Sequence, residues 1–258
     1  MRKIFLIRHG RADLPESESY CIGKTDPPLS RLGAMQAALA GIKLQDEDIK
    51  QSYSSKLQRA AQTAKIMRYP NFELPELNEL NFGEWDGLSF TEIKSGWPLL
   101  YRERAENPFI MPEGAENIEK AQKRMTQAFR RITEGTVGNV AIISHRSAMQ
   151  LLLSSLLSIE LNKAAKLNLP HGSITELNIQ ENDIYLAKEG RLPHPELSHE
   201  NCIRLMEAAG ASENQKRHGI AVADQCMRIV VTLAACGYYL DEQALYFAAM
   251  LHDIASDE

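Results

Sequence analysis

Lys3 to Ile7 is a short run in which apolar residues follow one another without the polar alternation of a half-exposed strand. It reads as a strand and leads straight into Arg8-His9-Gly10. After a polar loop, Ser30 opens a helix whose apolar positions Leu32, Met35 and Leu39 lie at helical spacing. Gln51 to Ser54 predicts a second short strand, and Ser54 or Ser55 then caps a helix running through Arg59, Ala60, Ala61, Thr63 and Ile66. From Ala115 to Ile132 the spacing puts Ile118, Ala121, Met125, Ala128, Phe129 and Ile132 on one helical face. Val140 to Ser144 is an apolar strand ending at His145, and the next helix carries Met149, Leu152, Leu153, Leu156 and Leu157. Ser173 to Ile179 and Ile184 to Lys188 flank Glu181-Asn182-Asp183, a hairpin signal. Strands alternating with helices predict an α/β fold, with a mainly parallel sheet covered by helices on both faces.

The texture then changes. Pro193-His194-Pro195 can continue neither strand nor helix, so residues 193–197 read as a linker. It separates a domain over residues 1–192 from a small all-helical segment over residues 198–258. In that segment Ile220, Ala223, Met227, Val230 and Ala234 form a stripe closed by Gly237, and Asp241 caps a last helix with Ala244, Leu245, Ala248 and Leu251.

Composition narrows the function classes. At 258 residues the chain has room for one large domain or two modest ones, and 44% apolar with 24% charged residues is an ordinary globular balance. The 29 basic and 34 acidic residues leave a net charge of −5, which speaks against a nucleic-acid or membrane-surface partner. Four cysteines without a paired framework predict free thiols in a reducing compartment. The apolar run at the N-terminus is too short for a signal peptide, and Met149 to Ile159 and Ile229 to Leu240 are too short to span a bilayer. The expectation is a cytoplasmic protein.

In an open α/β sheet, ligands bind beyond the carboxyl ends of the strands. His9 and His145 follow two such ends, Arg8 adjoins one, and Arg59 lies early in a helix that follows a third strand. Two histidines and two arginines around a helix start predict an oxyanion site, and a phosphate suits the guanidinium fork.

Leu6-Ile7-Arg8-His9-Gly10 resembles the signature of the histidine phosphatase superfamily, which includes cofactor-dependent phosphoglycerate mutases and α-ribazole phosphatase. Further similar segments follow in order: residues 23–30 (GKTDPPLS), 53–64 (YSSKLQRAAQTA), 77–87 (LNELNFGEWDG), 112–116 (PEGAE) and 143–145 (ISH). The resemblance implies a phosphoglycerate mutase-like fold. It also implies that His9 is the nucleophile, that Arg8, Arg59 and His145 hold the phosphoryl oxygens, and that Glu79 is the general acid and then the base. Glu76, Glu84 and Asp86 are rivals to Glu79, and His171 reads as a loop residue. No metal or other cofactor is required by that scheme, and the partner is a small phosphorylated metabolite. The chain departs from the family pattern after the first motif, where it reads Arg11-Ala12-Asp13-Leu14 in place of Glu-Thr or a similar pair and lacks the Asn usual several residues later, and after His145, where Arg146 replaces a small Gly. Either Arg11 and Arg146 point to solvent, or they widen the cationic rim and favour a substrate with extra negative charge.

The C-terminal segment resembles the start of an HD domain, through Arg217-His218-Gly219 and Leu251-His252-Asp253. That resemblance implies a divalent metal held by His218, His252 and Asp253. The fourth ligand of the family belongs to a later helix, whereas the sequence continues for only five residues after Asp253. Alternatively, His252 shares a face with Leu245, Ala248 and Ala249 and is a packed core histidine. A partial helical domain would expose apolar surface and favour a homo-oligomer.

The leading expectation is therefore a metal-independent phosphatase acting through a phosphohistidine. The alternatives are a phosphomutase on the same residues, a metal-dependent HD phosphohydrolase, and a non-catalytic phospholigand-binding protein. A compact stretch between Gly83 and Pro112, together with the Phe-Gly-x-Trp-Asp-Gly string, favours hydrolysis over mutase chemistry.

Overall fold

The computed structural model of the chain describes residues 2–181, 183–194, 197–236 and 240–254. Contacts divide it into two compact units, Met1–Pro193 and His194–Glu258.

The first unit is built on a six-stranded sheet of order β3-β2-β4-β1-β5-β6, formed by β1 (Arg2–Arg8), β2 (Ile49–Ser54), β3 (Asn71–Glu73), β4 (Asn139–Ser144), β5 (Ile174–Gln180) and β6 (Asp183–Arg191). β3, β2, β4 and β1 run parallel, and the β5–β6 hairpin adds two antiparallel strands. Both central strands carry an unbroken apolar middle, Ile4 to Ile7 and Val140 to Ile143, because both faces are covered, and their alternate residues feed two cores. Ile4, Leu6, Val140 and Ile142 pack with Met125, Phe129 and Leu152 of α5 (Ile118–Gly135) and α6 (Arg146–Leu156). Phe5, Ile7, Ala141 and Ile143 pack with Ala40, Ala60, Ala64 and Met67 of α1 (Arg31–Lys43) and α2 (Gln58–Met67). The mainly parallel α/β architecture expected from the sequence is the one observed.

Two local expectations need correction. Ser30 does cap α1, accepting from the Gly33 N–H, but the buried face is not Leu32, Met35 and Leu39. Leu32 is 46% exposed, while Gly33, Ala37, Ala38 and Ala40 are buried. Small residues win here because backbone meets backbone: a Cβ on Gly33 would lie 2.0 Å from the Arg11 carbonyl oxygen, and one on Gly10 would lie 2.1 Å from that of Gly33. Neither Ser54 nor Ser55 caps α2. Leu57 is its N-cap residue, and its first amide, on Gln58, is taken by the Asp26 carboxylate at 2.7 Å. Elements that the hydrophobic pattern does not predict are β3, the short helices α3 (Phe90–Gly96) and α4 (Pro98–Glu106), and the four-residue α7 (Leu161–Ala164). All are too short for a clear period, although Ser89 and Glu92 form a capping box on α3 and Pro98 opens α4.

The second unit consists of α8 (His199–Ala208), α9 (Glu213–Ala235) and α10 (Glu242–Leu251). Its core is Cys202, Met206, Ala223, Ala249 and Met250. Asp241 caps α10 as expected, but Leu245 and Ala248 are exposed, and the buried pair is Ala249 and Met250. His252 is 38% exposed by its side chain, so it is not a packed core histidine. The expectations at Asn182, Pro195 and Gly237 lie outside the described residues, as do residues 255–258. Among the described residues, no helix is long and apolar enough to cross a membrane.

Candidate active site

The parallel pairing of β1 with β4 ends with Arg8 opposite Ser144, so the next residues, His9 and His145, emerge side by side at the same sheet edge. The His9 N–H donates to the Ser144 carbonyl at 3.0 Å, and the two imidazole rings lie 4.8 Å apart. β5 runs antiparallel to β1, which brings the turn before it to that edge as well. Gly172, at φ +72°, donates from its N–H to the Arg8 and His9 carbonyls. His171 is thereby placed 5.4 Å from the His9 ring. Arg8 donates from Nη1 to the Leu169 carbonyl at 2.7 Å, and its Nη2 lies 2.8 Å from His171 Nε2. Because Arg8 can only donate, His171 Nε2 is the acceptor. The sequence places His171 in a loop and gives it no role. The Pro-His-Gly triplet marked a turn, but only the β1–β5 pairing reveals which edge it faces.

Arg59 is wholly buried. Its guanidinium donates to the Thr25 and Gly23 carbonyls, both at 3.0 Å, with Asp26 Oδ1 at 3.7 Å. That loop is held in turn by Asp86, whose carboxylate accepts from the N–H groups of Gly23, Lys24 and Thr25. Burial pushes the Asp86 carboxyl up, and the hydrogen bonds from Thr25, Lys24 and Gly23 outweigh this and hold it below its ordinary value. Asp86, a rival to Glu79 in the sequence, is a clamp on the Arg59 loop.

Glu79 points at the first turn of α6. Its Oε1 accepts from the N–H groups of Leu80 and Ala148, both at 3.0 Å, and Oε2 from that of Ser147 at 3.2 Å. The segment carrying it is fixed by Arg124, which donates to the carbonyls of Glu76, Asn78 and Glu79 and is paired with Glu116 at 2.7 Å. The helix starts themselves are not the anion site: Asp26 fills that of α2, and Glu79 fills that of α6.

Hydrogen bonds fix the imidazole tautomers. His9 Nδ1 lies 2.6 Å from the Gly10 carbonyl, an acceptor, so Nδ1 carries the proton and Nε2 is left with its lone pair. Asn78 Oδ1 accepts from the Lys56 N–H and the Ser55 hydroxyl, so Ser55 Oγ accepts the proton of His145 Nε2 at 2.8 Å. Three buried polar atoms here have no partner among the described residues: Arg8 Nε, Arg59 Nε and His145 Nδ1. An unpartnered buried polar atom costs about 1–3 kcal/mol, so three around one histidine point to a bound polar group.

Burial, then the charges of His145, Arg59 and Arg8, pushes His9 well below its ordinary value. Burial followed by Arg59 and Arg8 does the same to His145, and burial with Arg8, Arg11 and Arg146 takes His171 down to about 3. Arg8 is lowered to about 10 by burial and by Arg146. The imidazoles are therefore neutral at pH 7 and the guanidinium is charged. Arg8, His9 and Glu79 line a cavity of about 820 Å³ together with Arg11, Arg104, Arg146 and His171. Arg104, also missed from sequence, stacks its guanidinium on Phe82 and Trp85. A cleft of similar size, about 800 Å³, beside Arg2, Phe129 and Gln180 holds no histidine.

In the second unit, His218 Nε2 and His252 Nε2 lie 3.6 and 3.2 Å from Asp253 Oδ2. The candidate ligand atoms of all three residues fall within 4.8 Å of one another.

The family model for the histidine phosphatase superfamily (branch 1) matches residues 4–190. The probable phosphoglycerate mutase GpmB of Yersinia pestis is 30% identical over 189 residues, covering 70% of this chain and 86% of that one. The bifunctional protein Rv2228c of Mycobacterium tuberculosis is 32% identical over 157 residues, 58% of this chain, and the match spans 43% of that protein's length. Among solved structures, the α-ribazole phosphatase from Shigella flexneri shares the fold with a TM-score of 0.66 at 22% identity, over 76% of this chain and 99% of that one.

Proposed function

The chain belongs to the histidine phosphatase superfamily, branch 1, and from that premise we propose that it hydrolyses a small phosphomonoester through a phosphohistidine on His9. The observation that carries the reading is the His9 tautomer. With Nδ1–H tied to the Gly10 carbonyl, Nε2 is a neutral nucleophile beside three unpartnered polar atoms of Arg8, Arg59 and His145. In the first step Nε2 attacks phosphorus and the bond to the leaving oxygen breaks, with Glu79 giving that oxygen a proton. The Gly10 carbonyl steadies the positive charge on the phosphorylated ring, while Arg8 and Arg59 take the charge that spreads over the phosphoryl oxygens. In the second step water attacks the same phosphorus, Glu79 takes its proton, and orthophosphate leaves with Nε2 restored. The guanidinium groups supply the charge neutralisation, so the scheme calls for no metal.

Hydrolysis is preferred over phosphoryl relocation because only the short helices α3 and α4 stand between Gly83 and Pro112. The test is phosphate release from phenyl phosphate in excess EDTA. The wild type should turn over, and His9→Ala should lose at least about 10³-fold in kcat. Turnover that survives in His9→Ala, or that appears only with added metal, overturns the reading.

A second reading concerns the helical unit, where His218, His252 and Asp253 fit a divalent cation such as Mn²⁺ or Zn²⁺ in the HD-like manner. His252 Nδ1 lies 2.8 Å from the Ala249 carbonyl, which leaves Nε2 as the ligating nitrogen. Equilibrium dialysis of the full chain against Mn²⁺ should find one ion, lost in His252→Ala and in Asp253→Asn. Retention of the ion in both variants, or its absence from the wild type, contradicts this.

A further inference from the structure

Of the cavity arginines that the chemistry above does not use, Arg104 is engaged with Phe82 and Trp85, which leaves Arg11 and Arg146. Arg146 is the first residue of α6, where the helix dipole is positive and a cation is opposed rather than favoured. Its placement therefore does nothing for the helix. It is exposed, and among the described residues it has no carboxylate within ion-pair distance. Arg11 is set two residues beyond His9, on backbone pinned from both sides. Its carbonyl accepts from the Ser30 N–H and hydroxyl, and its N–H donates to Gln36 Oε1 at 2.9 Å. Its carboxylate partner is Glu16, which is 83% exposed, and a pair of that kind is worth little and is readily exchanged. Both residues line the cavity, and both charges bear on His171, whose ring centroid is 5.4 Å from that of His9. Opposite chemistry completes the cavity: Phe82, Phe90 and Phe109 give it an apolar wall.

We propose that Arg11 and Arg146 form a second anion subsite, so that the substrate is a phosphomonoester whose organic part carries another anionic group, a carboxylate or a phosphate. The inference rests on the phosphatase reading for its kinetics, but not for its binding. The phosphoryl group is held at His9, the second anion reaches the Arg11–Arg146 rim, and the apolar body between them lies against the phenylalanine wall. A guanidinium meeting an anion at such a rim gains the planar two-point contact that a lysine would not supply.

The test has a kinetic arm and a binding arm on the full chain. The kinetic arm compares phenyl phosphate, 3-carboxyphenyl phosphate and benzene-1,3-diyl bisphosphate with wild type, Arg146→Gly, Arg146→Gln, Arg11→Ala and the double variant. Taking the ratio of kcat/KM to that for phenyl phosphate within each protein and then comparing proteins cancels differences in leaving-group basicity. That ratio should fall about fivefold or more in each single variant and further in the double one, while kcat/KM for phenyl phosphate stays within about twofold of wild type. Loss on the carboxylate alone, or on the bisphosphate alone, identifies which anion the rim takes. Equal losses on all three substrates, or on none, overturn the proposal. The binding arm titrates 3-carboxyphenylphosphonate and phenylphosphonate by calorimetry and needs no turnover. The wild type should prefer the former, and Arg146→Gly should abolish that preference. If phosphate release fails but this preference is found, the phosphatase reading falls and the subsite stands. If the wild type shows no preference, the subsite falls.

Discussion

His9, His145 and His171 are three imidazoles kept neutral by burial and by the arginines around them, and that neutrality has a cost in acid. In the unfolded chain each takes up a proton near pH 6.5, whereas in the folded chain uptake waits for a much lower pH. The unfolded state then binds more protons, so stability must fall as pH falls below about 6.5, by up to about 1.4 kcal/mol per pH unit for each histidine. Urea unfolding from pH 7.5 to 5 should show this, and His171→Asn should make the slope shallower. An unchanged slope would mean that His171 is not buried neutral. Arg8, His9, Arg59, Glu79 and His145 could be singled out in the sequence as candidates because they fall in ordered strings, several of them at strand ends. Arg124 and His171 could not, because each acts through a partner far away in the chain: Arg124 on carbonyls 45 to 48 residues earlier, and His171 on Arg8, 163 residues away.

Among the elements, a helical period identified the buried face of α5 but not that of α1, and it was silent on the loop that anchors Arg59. Ala121, Met125, Ala128, Phe129 and Ile132 of α5 form the buried stripe that their spacing predicts. The α1 face failed because close backbone approach at Gly10 and Gly33 selects alanine and glycine over the larger apolar residues. The loop over residues 22–26 has no period at all, yet it carries the Arg59 anchors, and the Asp86 carboxylate holds three of its successive backbone N–H groups. Asp86→Asn should therefore cost about 1–3 kcal/mol of stability and lower kcat/KM severalfold, although Asp86 is absent from the cavity wall. Because hydrogen bonds hold the Asp86 carboxyl below its ordinary value, its contribution is present above about pH 4 and lost as pH falls through the lower folded value. Thermal unfolding with parallel kinetics checks this, and a variant that matches wild type in both would contradict the clamp.

For the molecule as a whole, the topology does the assembling. Parallel pairing of β1 with β4, and antiparallel return of β5 against β1, bring residues 9, 145 and 171 to one sheet edge. The alternation of strands and helices was enough to foresee the sheet, but it could not give the strand order that makes these three neighbours. The family match ends at residue 190, ahead of the helical unit, whose three candidate ligands carry a separate prospect. The central claim is that phosphate passes through a covalent bond to His9 Nε2. It is tested most directly by mixing the protein with labelled phenyl phosphate in EDTA, quenching within one turnover in base, and locating the label by peptide mass. The account predicts an acid-labile, base-stable phosphoryl group on the peptide containing His9, absent from His9→Ala. Turnover with no such adduct, or with the label on another residue, would contradict it.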